Sequence, residues 1–195
     1  MRKKAIWGTV LAVLVATPAV LGLVLLGGDD DSSSRRAAAL VAVGTGGGYE
    51  LVVSGLTPPG EAADVLSYSW GASNNASFAS TGLTSGRAQF ENLQITKKVD
   101  IASPNFGKAV AMGSHYPSAT LTLYSGSEKP TAYMIYKMTD VLITGVQHGG
   151  SANDMPTEQV SLNYAKLEVT HKELDEGTVK RQTLFAYDVA AAKAG

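Results

Sequence analysis

Three histidines, His115, His148 and His171, carry most of the acid–base or metal chemistry this chain could offer. No two of them stand at the spacing of a helical or hairpin metal pair, so each is expected as a surface or turn histidine. Asp140 and His148 could join one of many serines as a hydrolytic triad. No Gly-x-Ser-x-Gly elbow or other nucleophile context supports that reading. There is no cysteine, which excludes a disulfide framework, cysteine–zinc sites and a thiol nucleophile. Glu173, Asp175 and Glu176 form a short acidic run with the look of a solvated hairpin tip rather than a catalytic pair. Asn153 and Asp154 beside Gly149 and Gly150 read as a turn, because a calcium loop needs more ligands at regular spacing. Asn75-Ala76-Ser77 matches the glycosylation acceptor pattern, one that recurs often by chance. No catalytic residue, cofactor or metal is expected, and the chain does not read as an enzyme.

The elements that must hold these residues are mostly strands. Sixteen basic and seventeen acidic residues among 195 leave a net charge of −1, so no basic field points to nucleic acid. From Tyr49 onward the apolar period is two. Leu66, Tyr68 and Trp70 share one expected face, and Ala119, Leu121 and Leu123 share another. The alternation slips by one residue between Tyr164 and Ala165, and again between Met138 and Val141, as a β-bulge would cause. One segment departs from this pattern. Ser103 suits an N-cap, Pro104 a first helical residue and Gly113 a C-terminal stop. Phe106, Ala109 and Val110 then give the packed stripe of a short helix over Ser103 to Met112, and Val110→Asp is expected to destabilise it. The sum is about seven strands and one helix, a small barrel or a tightly curved pair of sheets.

The N-terminus is different in kind. Arg2, Lys3 and Lys4 precede 22 uncharged residues, Ala5 to Leu26, and Asp29, Asp30 and Asp31 follow. As a helix the run spans about 33 Å, enough for a hydrocarbon layer of roughly 30 Å. The flanking charges keep the N-terminus in the cytoplasm and put the rest of the chain outside. An uncleaved signal anchor over residues 1–28 is the expectation, with a cleaved signal and secretion as the alternative and a buried helix as the third reading. Residues 29–48, ending in Gly44-Thr45-Gly46-Gly47-Gly48, read as a flexible linker with one apolar patch, Ala37 to Val43. Its glycine spacing lacks the strand, the helix and the Gly-Lys-Ser/Thr ending of a phosphate loop.

The stretch Asp64-Val-Leu-Ser-Tyr-Ser-Trp-Gly-Ala-Ser-Asn74 resembles the second strand of the Hcp family, the tube-forming proteins of type VI secretion systems. The resemblance continues in collinear order through Phe90 to Asp100, Ala102-Ser103-Pro104, His115 to Ala119, Met138 to Ile143 and Glu158 to Leu167. It implies a compact Hcp-like β-barrel over residues 49–192 with a helix on its side and no catalytic residues. It also implies self-assembly into six-fold rings that stack into a tube, with secretion-apparatus proteins or effectors as further partners. Leu66, Tyr68 and Trp70 then belong to packing. The segment Asn75 to Gly86 is expected as a loop whose Phe78 and Leu83 meet the neighbouring ring, with a merely mobile loop as the alternative. A typical tube protein begins near its first strand, whereas this one has a membrane segment at residues 5–26. An exported or anchored surface binding module with the same fold is the alternative.

Overall fold

The computed structural model describes residues 48–79, 82–126 and 130–194, with the side chains of 76–79 and 83–85 left aside. The signal anchor and the linker up to residue 47 lie outside the described residues. Within them, no helix is long and apolar enough to cross a membrane.

Among the described residues ten strands and one helix form, rather than about seven strands and one helix. In chain order these are β1 (Tyr49–Val53), β2 (Ala63–Ser69), β3 (Ala72–Ala79), β4 (Gly82–Phe90) and β5 (Leu93–Lys98). Then come α1 (Ser103–Met112), β6 (His115–Ser125), β7 (Thr131–Gly149), β8 (Thr157–Asp175), β9 (Thr178–Asp188) and β10 (Lys193–Ala194). Six of them close a ring in the order β8-β5-β2-β1-β6-β7, with β7 pairing back to β8 and every neighbour antiparallel. Closure removes the unpaired edges that an open sheet would leave. β3 and β4 form a separate two-stranded hairpin, and β9 and β10 extend the sheet beyond the ring. The barrel interior is filled by Leu51, Val53, Leu93, Ile95, Leu121, Leu123, Met138, Ile143 and Leu162, all essentially inaccessible.

The phase slip in β8 has a topological cause. Its first half, Thr157 to Leu162, pairs with β5, and its second half, Lys166 to Asp175, pairs with β9. Between them the inward set changes from Glu158, Val160, Leu162 and Tyr164 to Leu167. At the changeover the Ala165 carbonyl accepts from the Val189 and Ala190 amides at 2.8 and 3.2 Å. The slip in β7 lies directly opposite. Thr139 pairs with Lys166 and Val141 with Tyr164, while Asp140 between them takes φ 53°. The two strands therefore kink together and keep their register, instead of one bulging against the other. The register shift between them falls later, between Ile143 and Gly145.

A bulge that the alternation did not announce lies in β2. Its register with β5 shifts between Val65 and Ser67. Ala63 and Val65 therefore point inward, and then Tyr68 and Trp70, leaving Leu66 46% exposed. Leu66 is not part of the packing face expected for it, because the extra residue turned it out.

The helix forms at its expected limits, but its faces differ from the expectation. Gly113 takes the left-handed conformation, φ 59° and ψ 36°, and its amide returns to the last turn as a C-cap. The N-cap is Ala102, with no capping side chain, and Ser103 is the first helical residue. Ser103, Phe106 and Ala109 are buried, whereas Val110 is 37% exposed. The stripe turns about Phe106, and Val110 lies at its solvent margin. Val110→Asp is accordingly no longer expected to cost much.

Candidate functional site

Among the described residues, charge lies inside this barrel at one place. Lys97 is the last but one residue of β5 and Glu158 the second of β8, directly opposite each other in register. Both continue the inward alternation of their strands, so both side chains are fully buried. Lys97 Nζ lies 2.6 Å from Glu158 Oε1 and 2.8 Å from Asp100 Oδ2, and it donates to the Lys98 carbonyl at 3.0 Å. Ser103 Oγ, at the first turn of α1, donates to Glu158 Oε1 at 2.7 Å and accepts from the Asp100 amide at 2.9 Å. His148 stands beside Glu158 on the other flanking strand, and its Nε2–H donates to Glu158 Oε2 at 2.7 Å. The Phe106 ring lies 5.5 Å from Lys97 Nζ.

Such a cluster can hold elements together, since a buried charge persists only when paired and hydrogen-bonded. Here three strands of the barrel and the helix are tied at one point, and among the described residues no buried side-chain polar atom lacks a partner. With Lys97 and Glu158 sealed and spoken for, no substrate can reach the charges.

The other chemistry-bearing residues do not converge. Asp140 pairs with His115 Nδ1 at 2.8 Å on the surface, and His148 is engaged with Glu158. Eight residues of β7, or about 26 Å at ~3.3 Å per residue, separate Asp140 from His148, so the imagined triad does not assemble. Glu173 pairs with Arg181 and Asp175 with Lys180, across a two-residue turn at Glu176 (φ 47°) and Gly177 (φ 79°). The acidic run is a hairpin tip, as its sequence suggested. Among the described residues no group of three or more His, Cys, Asp or Glu could hold a metal ion. The segment expected as a loop from Asn75 to Gly86 lies within the β3–β4 hairpin, where Phe78 and Leu83 are register partners beside the turn.

Aromatic side chains pin the base of that hairpin. Phe90 lies 4.5 Å from Tyr187 and 6.3 Å from Trp70, ring centre to ring centre. Trp70 Nε1 donates to the Tyr164 hydroxyl at 2.6 Å, which donates to the Glu91 carbonyl at 2.9 Å. Burial raises the Tyr164 phenol above its usual range, against the Trp70 hydrogen bond that lowers it. Burial raises Tyr136 further, helped by the Tyr68 hydroxyl. Both phenols stay neutral within a packed wall, where Tyr164 donates to Glu91 and Tyr136 meets the Tyr68 hydroxyl.

The profile of the family described as "Type VI secretion system effector, Hcp" matches residues 60–171, more than half of the chain. The chain belongs to the Hcp family. The matched span holds both ends of the ion network, the helix and the Trp70 strand. Protein hcp1 of Pseudomonas aeruginosa is 37% identical over 88 residues, which are 44% of this chain and 54% of that protein. The aligned part therefore spans about half the length of that curated relative. Among solved structures, a type six secretion system protein superposes with a TM-score of 0.70 at 23% identity, covering 76% of this chain and 99% of that one. Hcp1 from Salmonella typhimurium gives 0.62 at 23% identity over 76% and 99%. At that identity the structural likeness speaks for the fold alone: a mainly β, six-stranded closed barrel with extra strands and a short helix. Hcp membership ties this chain to type VI secretion.

Of the residues that matter here, the sequence reading missed Lys97, Glu158 and the role of Ser103. His148, expected as a surface or turn histidine, is exposed and in addition holds a buried carboxylate.

Proposed function

We propose that this Hcp-family chain assembles with copies of itself into six-membered rings that stack as a secretion tube. The observation that carries this reading is the outer edge of β9. It pairs with β8 on one side, and on the other β10 covers only Tyr187 and Asp188. Among the described residues, Thr178 to Ala186 have no strand on that edge, and Val179, Leu184 and Phe185 are exposed along it. Lys180 and Arg181, which would guard a free edge, are engaged with Asp175 and Glu173 of their own hairpin. Closed rotational symmetry is the common way to cover such a heterologous surface, and six-fold closure follows the family resemblance. Phe78 and Leu83, beside the hairpin turn, are the proposed contacts between stacked rings, and effectors or apparatus proteins are the proposed further partners.

From Ala37 onward the chain carries eleven basic and fourteen acidic residues, net −3 per subunit. Assembly should therefore not need low salt. Negative-stain images and light scattering of the full chain in mild detergent are expected to show rings of six times the monomer mass. A monodisperse monomer at high concentration would remove the tube reading and favour a surface binding module.

The charge arrangement of residues 2–31 favours a second element of the proposal: a single membrane pass with the barrel outside the cell membrane. Cleavage and secretion is the alternative. Protease added to intact cells or spheroplasts should digest the barrel and leave the anchor in the membrane. A barrel protected until lysis would place it inside.

A further inference from the structure

A cleft of about 650 Å³ opens at the end of the barrel where β1 begins, β6 ends and β7 starts. Tyr49, Tyr124 and Tyr133 line it together with Ser125, His171 and Lys172. The volume falls within the usual range of binding clefts, roughly 300–1,000 Å³. None of these residues belongs to the ion network around Glu158. The tyrosines are held in place: Tyr49 meets Tyr68 edge-on at 5.6 Å, Tyr133 hydrogen-bonds to Tyr49, and Tyr124 to Glu50. All three are partly buried, with the rest of each ring open to the cleft. Among the described residues no two of them stack on one another, so each offers a ring of its own rather than half of a sandwich.

The chemistry of the lining selects a class of ligand. An aromatic face carries negative charge density and attracts the polarised C–H groups on the flat side of a pyranose ring. Hydroxyls and a histidine beside such faces can donate to and accept from the sugar's own hydroxyls. Burial first, then Glu50 for Tyr124 and Tyr49 for Tyr133, raises both phenols above their ordinary value, so neither repels an anion. The charge left over at the cleft is positive. Glu173 also lines it but is engaged with Arg181, whereas Lys172 has no partner among the described residues. One ammonium matches one carboxylate. A nucleotide would ask for more, since several phosphate charges call for several cations.

We propose that the tyrosine cleft binds an acidic saccharide, with pyranose rings against the tyrosines and a ring carboxylate on the Lys172 ammonium. Ser125 and His171 serve the sugar hydroxyls. Trigalacturonate is the probe, titrated into the full chain in mild detergent and followed by calorimetry. Maltotriose is the uncharged sugar of equal length, and ATP stands for the nucleotide. Trigalacturonate is expected to bind about fivefold more tightly than maltotriose, near the upper end for one exposed ion pair. Lys172→Met should remove that advantage and bring the two sugars level. Tyr124→Leu keeps apolar volume but loses the aromatic face, and should weaken both sugars by about fivefold or more. Lys108→Met, on the exposed face of α1, should change neither. Circular dichroism checks that each variant is folded, and Lys172→Met, at a partly exposed strand position, keeps the test open if Tyr124→Leu is not. No binding of trigalacturonate at millimolar concentration would overturn the proposal. So would equal affinity for the two sugars, or affinities indifferent to both cleft substitutions. ATP binding more tightly than trigalacturonate would give the cleft to a nucleotide and overturn it as well.

Discussion

Replacing Glu158 by leucine is expected to cost this domain about 3–5 kcal/mol of stability, the usual loss when one partner of a buried ion pair is removed. Lys97 would keep its charge at a fully buried position, with Asp100, 35% exposed, as the remaining carboxylate. Ser103 Oγ would lose its acceptor, and so would His148 Nε2. At roughly 2–4 °C per kcal/mol for a domain of about 150 residues, the midpoint should fall by about 6–20 °C. Lys97→Met should also destabilise, by leaving the buried Glu158 with only Ser103 and His148 as partners. The double variant Lys97→Met, Glu158→Leu is the informative one. It removes both buried charges together, and the half-exposed His148 and partly exposed Asp100 can turn to water. It should be more stable than either single variant, and the difference measures the coupling. Urea midpoints of the four proteins decide the matter. A Glu158→Leu midpoint within about 1 kcal/mol of the parent would mean that the network carries no stability.

That network was more legible in the sequence than the reading made of it. Leu93, Ile95 and Lys97 alternate with Gln94 and Thr96, and Glu158, Val160 and Leu162 alternate in the same way. A lysine or glutamate that continues a buried alternation is a charge on the inward face, and such a charge needs a partner. Alternation says which face a residue takes but not which strand lies opposite, and the pairing of β5 with β8 is a matter of topology. Ser103 was misassigned for a related reason. Serine before Pro104 has the composition of an N-cap, yet Asp100 Oδ1 already accepts the Ala102 amide, and the Ser103 hydroxyl turns to Glu158. Local propensity lost to a buried carboxylate that wanted a donor.

The misplaced and the well-placed strand residues differ in one respect. In β7 and β8 the slip was visible because apolar residues stood on both sides of it, Met138 and Val141, Tyr164 and Leu167. In β2 the bulge follows Val65 with Leu66, so an apolar residue fell on the wrong face and alternation read straight through. The β3–β4 hairpin was hidden because Asn, Ser, Ala and Gly dominate it, and no apolar period marks a strand with so little to bury. The tyrosine cleft was out of reach altogether, since its walls come from the ends of β1, β6 and β7.

Phe106→Ala is expected to cost about 3–5 kcal/mol, in the range of a fully buried phenylalanine truncated in a core. Phe106 is inaccessible, and α1 packs against β7, so the lost ring leaves a void under the helix. It also leaves Lys97 without the aromatic face 5.5 Å from its ammonium. Val110→Asp, four residues on, should change stability by no more than about 1 kcal/mol, because its side chain can reach water from the margin of the packed face. The pair of variants tests which way the helix faces. Comparable losses in both would mean that α1 is rotated toward Val110, and near-parent stability in Phe106→Ala would mean that the helix contributes no core. Combining Phe106→Ala with Lys97→Met separates packing from charge. If the ring stabilises the ammonium as well as filling space, the two losses together should fall short of their sum by about 0.5 kcal/mol or more. Full additivity would leave the ring a purely steric role beneath a network that stands without it.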